Sequence, residues 1–174
     1  MVTRQICALL LALLLGPVLA GAGMAQTRIP DLSNPVAIGQ AQLRVLGFLA
    51  YEGRLYTEGG ARFDPEAPSA LLLTYNRAFS ARQLTRATET ELRRIAPQAS
   101  GLGQMLNLVS DCFRDVAQGD RYLAISPRPD ELRLMLNGTE TCRISYPEVG
   151  KRFLAIWLSD NSRFPRLSRQ LRGL

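Results

Sequence analysis

The chain has 174 residues, 47% hydrophobic and 21% charged, the make-up of one globular domain rather than of a disordered tail or a coiled coil. Twenty-one basic residues stand against 15 acidic ones, for a formal charge of +6, and Lys151 is the only lysine, so the basicity is arginine. Histidine is absent, which excludes Ser-His-Asp and Cys-His catalysis, His-ligated zinc and any imidazole pH switch.

Residues 1–25 read as a secretory signal peptide: Arg4 in a short start, an apolar run from Ile6 to Leu15, then Gly16-Pro17 and small residues. The run is short of the roughly 20 residues of a transmembrane helix. Cleavage is expected after Ala20 or Ala25, with Ala25 preferred. Residues 26–174 would then form a single domain in the periplasm or outside the cell, with no membrane-spanning segment. Cys7 leaves with the signal, so Cys112 and Cys142 remain as an even pair in an oxidising compartment. Two readings stay open for them, a disulfide or two separate buried thiols.

Residues 26–34 are polar and proline-punctuated, a lead-in or arm. From Val36 the pattern has period two on both parities, through Leu43, Val45, Leu49, Tyr51 and Leu55 on one and Leu46, Phe48, Ala50 and Tyr56 on the other. This predicts two strands or one long bent strand, kinked near Gly47. Residues 70–77 form a third strand. Ser80-Ala81-Arg82-Gln83 is a capping box opening a helix with the stripe Leu84, Ala87, Thr88, Leu92 and Ile95, stopped before Pro97. A second helix takes Leu102, Met105, Leu106, Val109, Phe113 and Val116 at three- and four-residue steps and ends near Gly119.

Residues 121–126 and 131–136 then read as strands, and Asn137-Gly138 is a hairpin turn into residues 139–145. Pro147 at a first helical position opens a helix with Val149, Phe153, Ile156 and Trp157 on one side. The tail is basic and amphipathic through Leu167 and Leu171. The order is an α+β plan: one antiparallel sheet with its helices gathered on one face.

No carboxylate pair has the placing of an acid-base dyad, since Glu89 and Glu91 point to different helix faces and Asp111 and Asp115 lie beside Arg114. Gly101-x-Gly103 lacks the lysine of a phosphate loop. The aromatic residues are not interleaved with basic clusters, so nucleic acid is not expected as a partner, and no cofactor or metal is expected. The basic balance leaves room for weak contact with an anionic membrane surface. Arg44 and Arg77, inside apolar strands, either snorkel at the sheet edge or face a carboxylate-binding pocket, to which Tyr51, Tyr56 and Tyr75 could add hydroxyls.

Several stretches, in order, carry a resemblance: Arg44-x-x-Gly47-Phe48-x-x-Tyr51-x-x-x-Leu55-Tyr56, then Leu73-x-Tyr75-x-Arg77-x-Phe79-Ser80, then Phe113-x-x-Val116 with Gly119-Asp120-Arg121-Tyr122. Leu136-Asn137-Gly138, Phe153-x-x-Ile156-Trp157-Leu158, Pro165-x-Leu167 and Leu171 complete it. Together they resemble the bacterial exported branch of the chalcone isomerase-like family. The resemblance implies an open-faced β-sandwich with a ligand cleft between sheet and helices. In the family's plant enzymes an arginine, a strand threonine, a helix tyrosine and an asparagine cyclise a chalcone, and non-catalytic relatives hold fatty acids with arginine and tyrosine at the carboxylate. Arg44 falls at the arginine position, Tyr51 at the threonine, and Gln83 and Thr90 at the tyrosine and asparagine. Three of these four catalytic candidates depart from the plant pattern.

The resulting expectation is a non-catalytic exported protein binding a small hydrophobic or amphipathic, carboxylate-bearing ligand through Arg44, Tyr51 and Tyr75. The alternatives are an isomerase of the intramolecular-lyase type and an envelope interaction protein using a basic C-terminal segment, residues 163–172.

Overall fold

A computed structural model describes residues 28–174 apart from Leu46. The predicted signal peptide, Cys7 and both cleavage sites lie outside the described residues. Six strands form one antiparallel sheet in sequence order: β1 Pro35–Val45, β2 Phe48–Glu58, β3 Ser69–Tyr75, β4 Arg121–Arg128, β5 Glu131–Leu136 and β6 Thr139–Ser145. Four helices accompany it: α1 Ala81–Ile95, α2 Leu102–Ser110, α3 Val149–Leu158 and α4 Pro165–Leu171. The α+β, open-faced plan expected from the sequence is the one the chain adopts.

Of the two readings left open near Gly47, the structure has two strands. Val45 and Phe48 are register partners, and Gly47 before Phe48 takes φ +81°, where a side chain would be strained. Asn137 and Gly138, with φ of 51° and 85°, make the other predicted hairpin, and β5 and β6 keep their predicted bounds.

Alternation along the strands sorts side chains into two layers. Ala41, Leu43, Leu55, Leu71, Leu73, Tyr75, Tyr122, Ala124, Leu132 and Leu134 face the helices and form the main core with Met105, Val109, Phe153, Leu154 and Leu158. Tyr56, Ala70, Ile125 and Met135 face the other way. The polar-looking lead-in covers them: Ile29 and Leu32 bury against this second cluster, and Arg133 on β5 pairs with Asp31. Residues 29–32 are therefore a packed strap over the sheet rather than an arm.

The capping box of α1 forms as the sequence prescribes. Gln83 N–H donates to the Ser80 hydroxyl at 3.2 Å, and Ser80 N–H donates to Gln83 Oε1 at 2.8 Å. The second helix is shorter than its apolar spacing suggests. It ends at Ser110, and Phe113 and Val116 stay in the core on non-helical backbone. The physical reason is a set of competing bonds just past the helix. Cys112 is joined to Cys142 on β6, with Cα atoms 5.3 Å apart. Arg114 N–H donates to the Tyr122 hydroxyl at 2.8 Å, and Val116 exchanges two 2.9 Å backbone bonds with Phe79. The cysteines are thus a disulfide.

Two smaller expectations are also corrected. The third strand stops at Tyr75 rather than 77, because Asn76 N–H turns to the Ala50 carbonyl and the chain leaves for the Phe79–Val116 bridge. Pro147 does not begin α3. It sits in a turn closed by Val149 N–H on the Tyr146 carbonyl, and Glu148 takes φ 56° before the helix starts.

The tail, which one alternative reading made a docking segment, folds from Pro165 to Leu171 as α4 against β1. Leu171 is buried, Arg172 pairs with Asp160, and a side chain on Gly39 would strike the carbonyls of Gln170 and Leu171. Its apolar side therefore belongs to the core. No helix among the described residues is long and apolar enough to cross a membrane.

Candidate functional site

Between the sheet and α1, α3 and α4 lies a cavity of about 430 Å3, with a mostly apolar wall that includes Leu71 and Leu73 from β3, Phe113, and Phe153 and Ile156 from α3. Its size is within the roughly 300–1,000 Å3 of small-molecule sites. One flank of α1 borders it without a bulky apolar stripe, while Leu84, Leu92 and Ile95 of the same helix pack on the core. Gln83, Arg86, Ala87 and Thr90 recur at three- and four-residue steps, and all four are exposed while lining the space. A stripe of leucines there would fill it; Ala87 leaves it open.

Two phenols stand together in the wall. Tyr51 on β2 and Tyr75 on β3 are register partners whose rings meet edge to face with centroids 5.9 Å apart. A bulge at Ala50 fixes this arrangement, since Leu43 pairs with Tyr51 and Arg44 with Leu49, which leaves Ala50 as the extra residue. The Tyr51 oxygen accepts a 2.8 Å hydrogen bond from Trp157 Nε1. Neither the Tyr51 nor the Tyr75 O–H finds an acceptor among the described residues. Burial raises the pKa of Tyr51 to about 12, with the Trp157 bond opposing and Glu91 adding to it. Burial first, then Tyr51 and Tyr122, push Tyr75 well above the usual phenol range. Both are neutral hydrogen-bond donors at ordinary pH.

Tyr122 is a different case. Its oxygen accepts from Arg114 N–H and its proton reaches the Cys112 carbonyl at 3.2 Å, so it fastens the segment after α2 and has no hydrogen left to give.

Charge lies at the mouth. Glu91 is held between Arg94 and Arg163, at 2.8 Å and 2.5 Å, which ties α1 to the segment before α4. Arg86 makes no ion pair among the described residues. The exposed members of the lining, Val45, Gln83, Arg86, Ala87, Thr90, Arg163 and Phe164, mark where the cavity opens.

The sequence candidates divide accordingly. Tyr51 and Tyr75 come together in the cavity as expected. Tyr56 faces the opposite cluster, against Ala70 and Ile125, and has no access to it. Arg44 does not line the cavity either. Strand alternation turns it to the outer face of the sheet while Leu43 and Val45 line the space, and its guanidinium reaches the Gly47 carbonyl at 3.4 Å. This corrects its expected role as the ligand's cation. Arg77 stacks on the exposed ring of Phe48, 4.9 Å from its centroid, outside the cavity. Gln83 and Thr90 stand at the mouth, but their polar groups serve the helix: Gln83 closes the cap, and the Thr90 hydroxyl donates to the Arg86 carbonyl at 2.7 Å.

Sequence reasoning missed Arg86 and the bond from Trp157 to Tyr51. The spacing Gln83, Arg86, Ala87, Thr90 was the available signal for the first. Nothing local announces the second, which joins residues 106 positions apart.

No protein-family model matches the sequence, and no curated protein matches it. Among solved structures the chain is similar to a fatty-acid binding protein of Arabidopsis thaliana, with a TM-score of 0.66 and 9% identity, over 83% of this chain and 91% of that one. The likeness is one of fold, the chalcone isomerase-like fold expected from the sequence.

Proposed function

We propose that the chain is a non-catalytic exported protein, akin to the bacterial exported branch of the chalcone isomerase-like family, that holds a small apolar-tailed acid between sheet and helices. The observation that carries this reading is the apolar cavity with two unspent phenol O–H groups in its wall. An apolar tail gains by leaving water against Leu71, Leu73, Phe113 and Phe153. The oxygen of its polar end accepts from Tyr51 and Tyr75, and Arg86 at the mouth supplies the positive charge that draws an anion in. The fatty-acid binding role of the plant protein of like fold supports the same class of ligand.

Holding is favoured over turnover for two reasons. Phenols with pKa values raised by burial keep their protons and are poor bases near neutrality. The residue that the resemblance puts at the position of the plant enzymes' arginine, Arg44, is on the far side of the sheet. Export is supported by the N-terminal sequence and by the Cys112–Cys142 disulfide, a bond that persists in oxidising compartments.

The test is titration of the mature protein with a naturally fluorescent polyene fatty acid. Saturable uptake is expected, weakened about tenfold by Tyr75→Phe and abolished by Leu73→Trp, which fills the space. Failure of the parent protein to take up this or any other apolar acid would overturn the reading.

A further inference from the structure

Among the described residues the exposed large apolar side chains are few, and three of them gather at the cavity mouth. Val45 is 50% exposed and Phe164 40%, and both line the cavity where it opens. Phe48, 61% exposed, is the register partner of Val45 at the tip of the β1–β2 hairpin. A soluble protein with no use for them would replace such tip residues with polar ones.

The charge around them is mainly positive. Arg77 lies over the Phe48 ring, Arg86 lines the opening from α1, and Arg163 lines it beside Phe164. Glu91 is the only acidic residue in the lining, and it is already shared between Arg94 and Arg163. Aromatic rings at a rim with arginines beside them match the interface of an anionic bilayer, where rings enter the headgroup layer and guanidinium groups meet phosphates.

We propose that the cavity mouth docks on an anionic lipid bilayer, so that the ligand passes between membrane and cavity without crossing water. The contact consists of the hairpin tip, Val45 and Phe48 with Arg77, and the opposing Phe164 with Arg86 and Arg163. It takes only Arg163 and Phe164 from the start of the C-terminal segment, whose Leu167 and Leu171 pack inward and leave the hairpin tip and α1 to supply the rest. The inference rests on the ligand-binding reading for its purpose, but not for its test.

Phe48 and Arg77 do not line the cavity, so their replacement separates docking from uptake. The measurement is co-sedimentation of the mature protein with vesicles of phosphatidylglycerol and phosphatidylcholine, beside solution uptake of the polyene fatty acid without vesicles. The parent is expected to bind the anionic vesicles, to bind pure phosphatidylcholine at least tenfold more weakly, and to be released as salt rises from about 0.05 M to about 0.5 M. The double variant Phe48→Ser/Arg77→Ser should lose at least tenfold in vesicle binding while keeping its circular dichroism spectrum and its uptake of free fatty acid. Three results would overturn the proposal: a parent that ignores anionic vesicles, a double variant that binds them like the parent, or a concentration-dependent dimer abolished in the double variant, which would assign the patch to a second copy. Loss of fatty-acid uptake in the parent with vesicle binding intact would instead strike the ligand reading alone and leave the docking surface standing.

Discussion

Trp157 Nε1 donates to the Tyr51 hydroxyl at 2.8 Å, a bond from helix to sheet across the wall of the cavity. The sole tryptophan of the chain is therefore both a support for one of the two phenols and part of the lining. Ligand uptake should shift or quench its emission. Trp157→Phe should silence that signal and leave the Tyr51 oxygen without its donor, at a cost of about 1–3 kcal/mol in stability, read from urea unfolding.

Tyr75→Phe and Arg44→Ala separate the cavity from the outer face. Tyr75→Phe removes a hydroxyl with no protein partner among the described residues, so stability should change by less than about 1 kcal/mol while ligand affinity falls. Arg44→Ala should alter neither, because its guanidinium lies on the outer face of the sheet. A loss of affinity in Arg44→Ala with fold intact would return this residue to the site.

Alkaline pH should unfold the protein through its phenols. The pKa of Tyr51 is near 12 when folded against about 10 when free, so between these values the unfolded chain holds fewer protons than the folded one. Stability is then full below pH 10 and falls as pH rises toward 12, by roughly 3 kcal/mol for Tyr51. Tyr75 pushes in the same direction. Absorbance at 295 nm should show late phenolate formation coincident with loss of structure, and Tyr51→Phe should remove one late-titrating group.

The two-layer plan was legible because strand and helix periods were clean. The capping box at Ser80 and Gln83 and the Asn137-Gly138 turn are local signals, and each formed as written. Arg44 was misplaced because both parities of β1 and β2 are apolar, so alternation alone could not say which face meets the helices. The bulge at Ala50, invisible in sequence, sets the pairing of Leu43 with Tyr51. Phe113 and Val116 show a related limit. Their spacing correctly marked them as core, but a disulfide and a bridge to Phe79 decided the backbone.

The disulfide closes 30 residues of chain between the end of α2 and β6. Chain-entropy arguments assign such a loop about 3–4 kcal/mol. The double variant Cys112→Ala/Cys142→Ala should lower stability by that order in denaturant, and the parent should lose the same amount on adding reductant. Equal stability of oxidised and reduced protein would contradict the bond's structural role.

The most direct test of the central claim is the native mass of the mature protein, purified from an exporting host, set against its mass after denaturation. The account predicts a folded species heavier by one small apolar acid that is released on unfolding, and whose carry-over drops in Leu73→Trp. A parent that carries nothing as purified and still carries nothing after incubation with a series of apolar acids would contradict it.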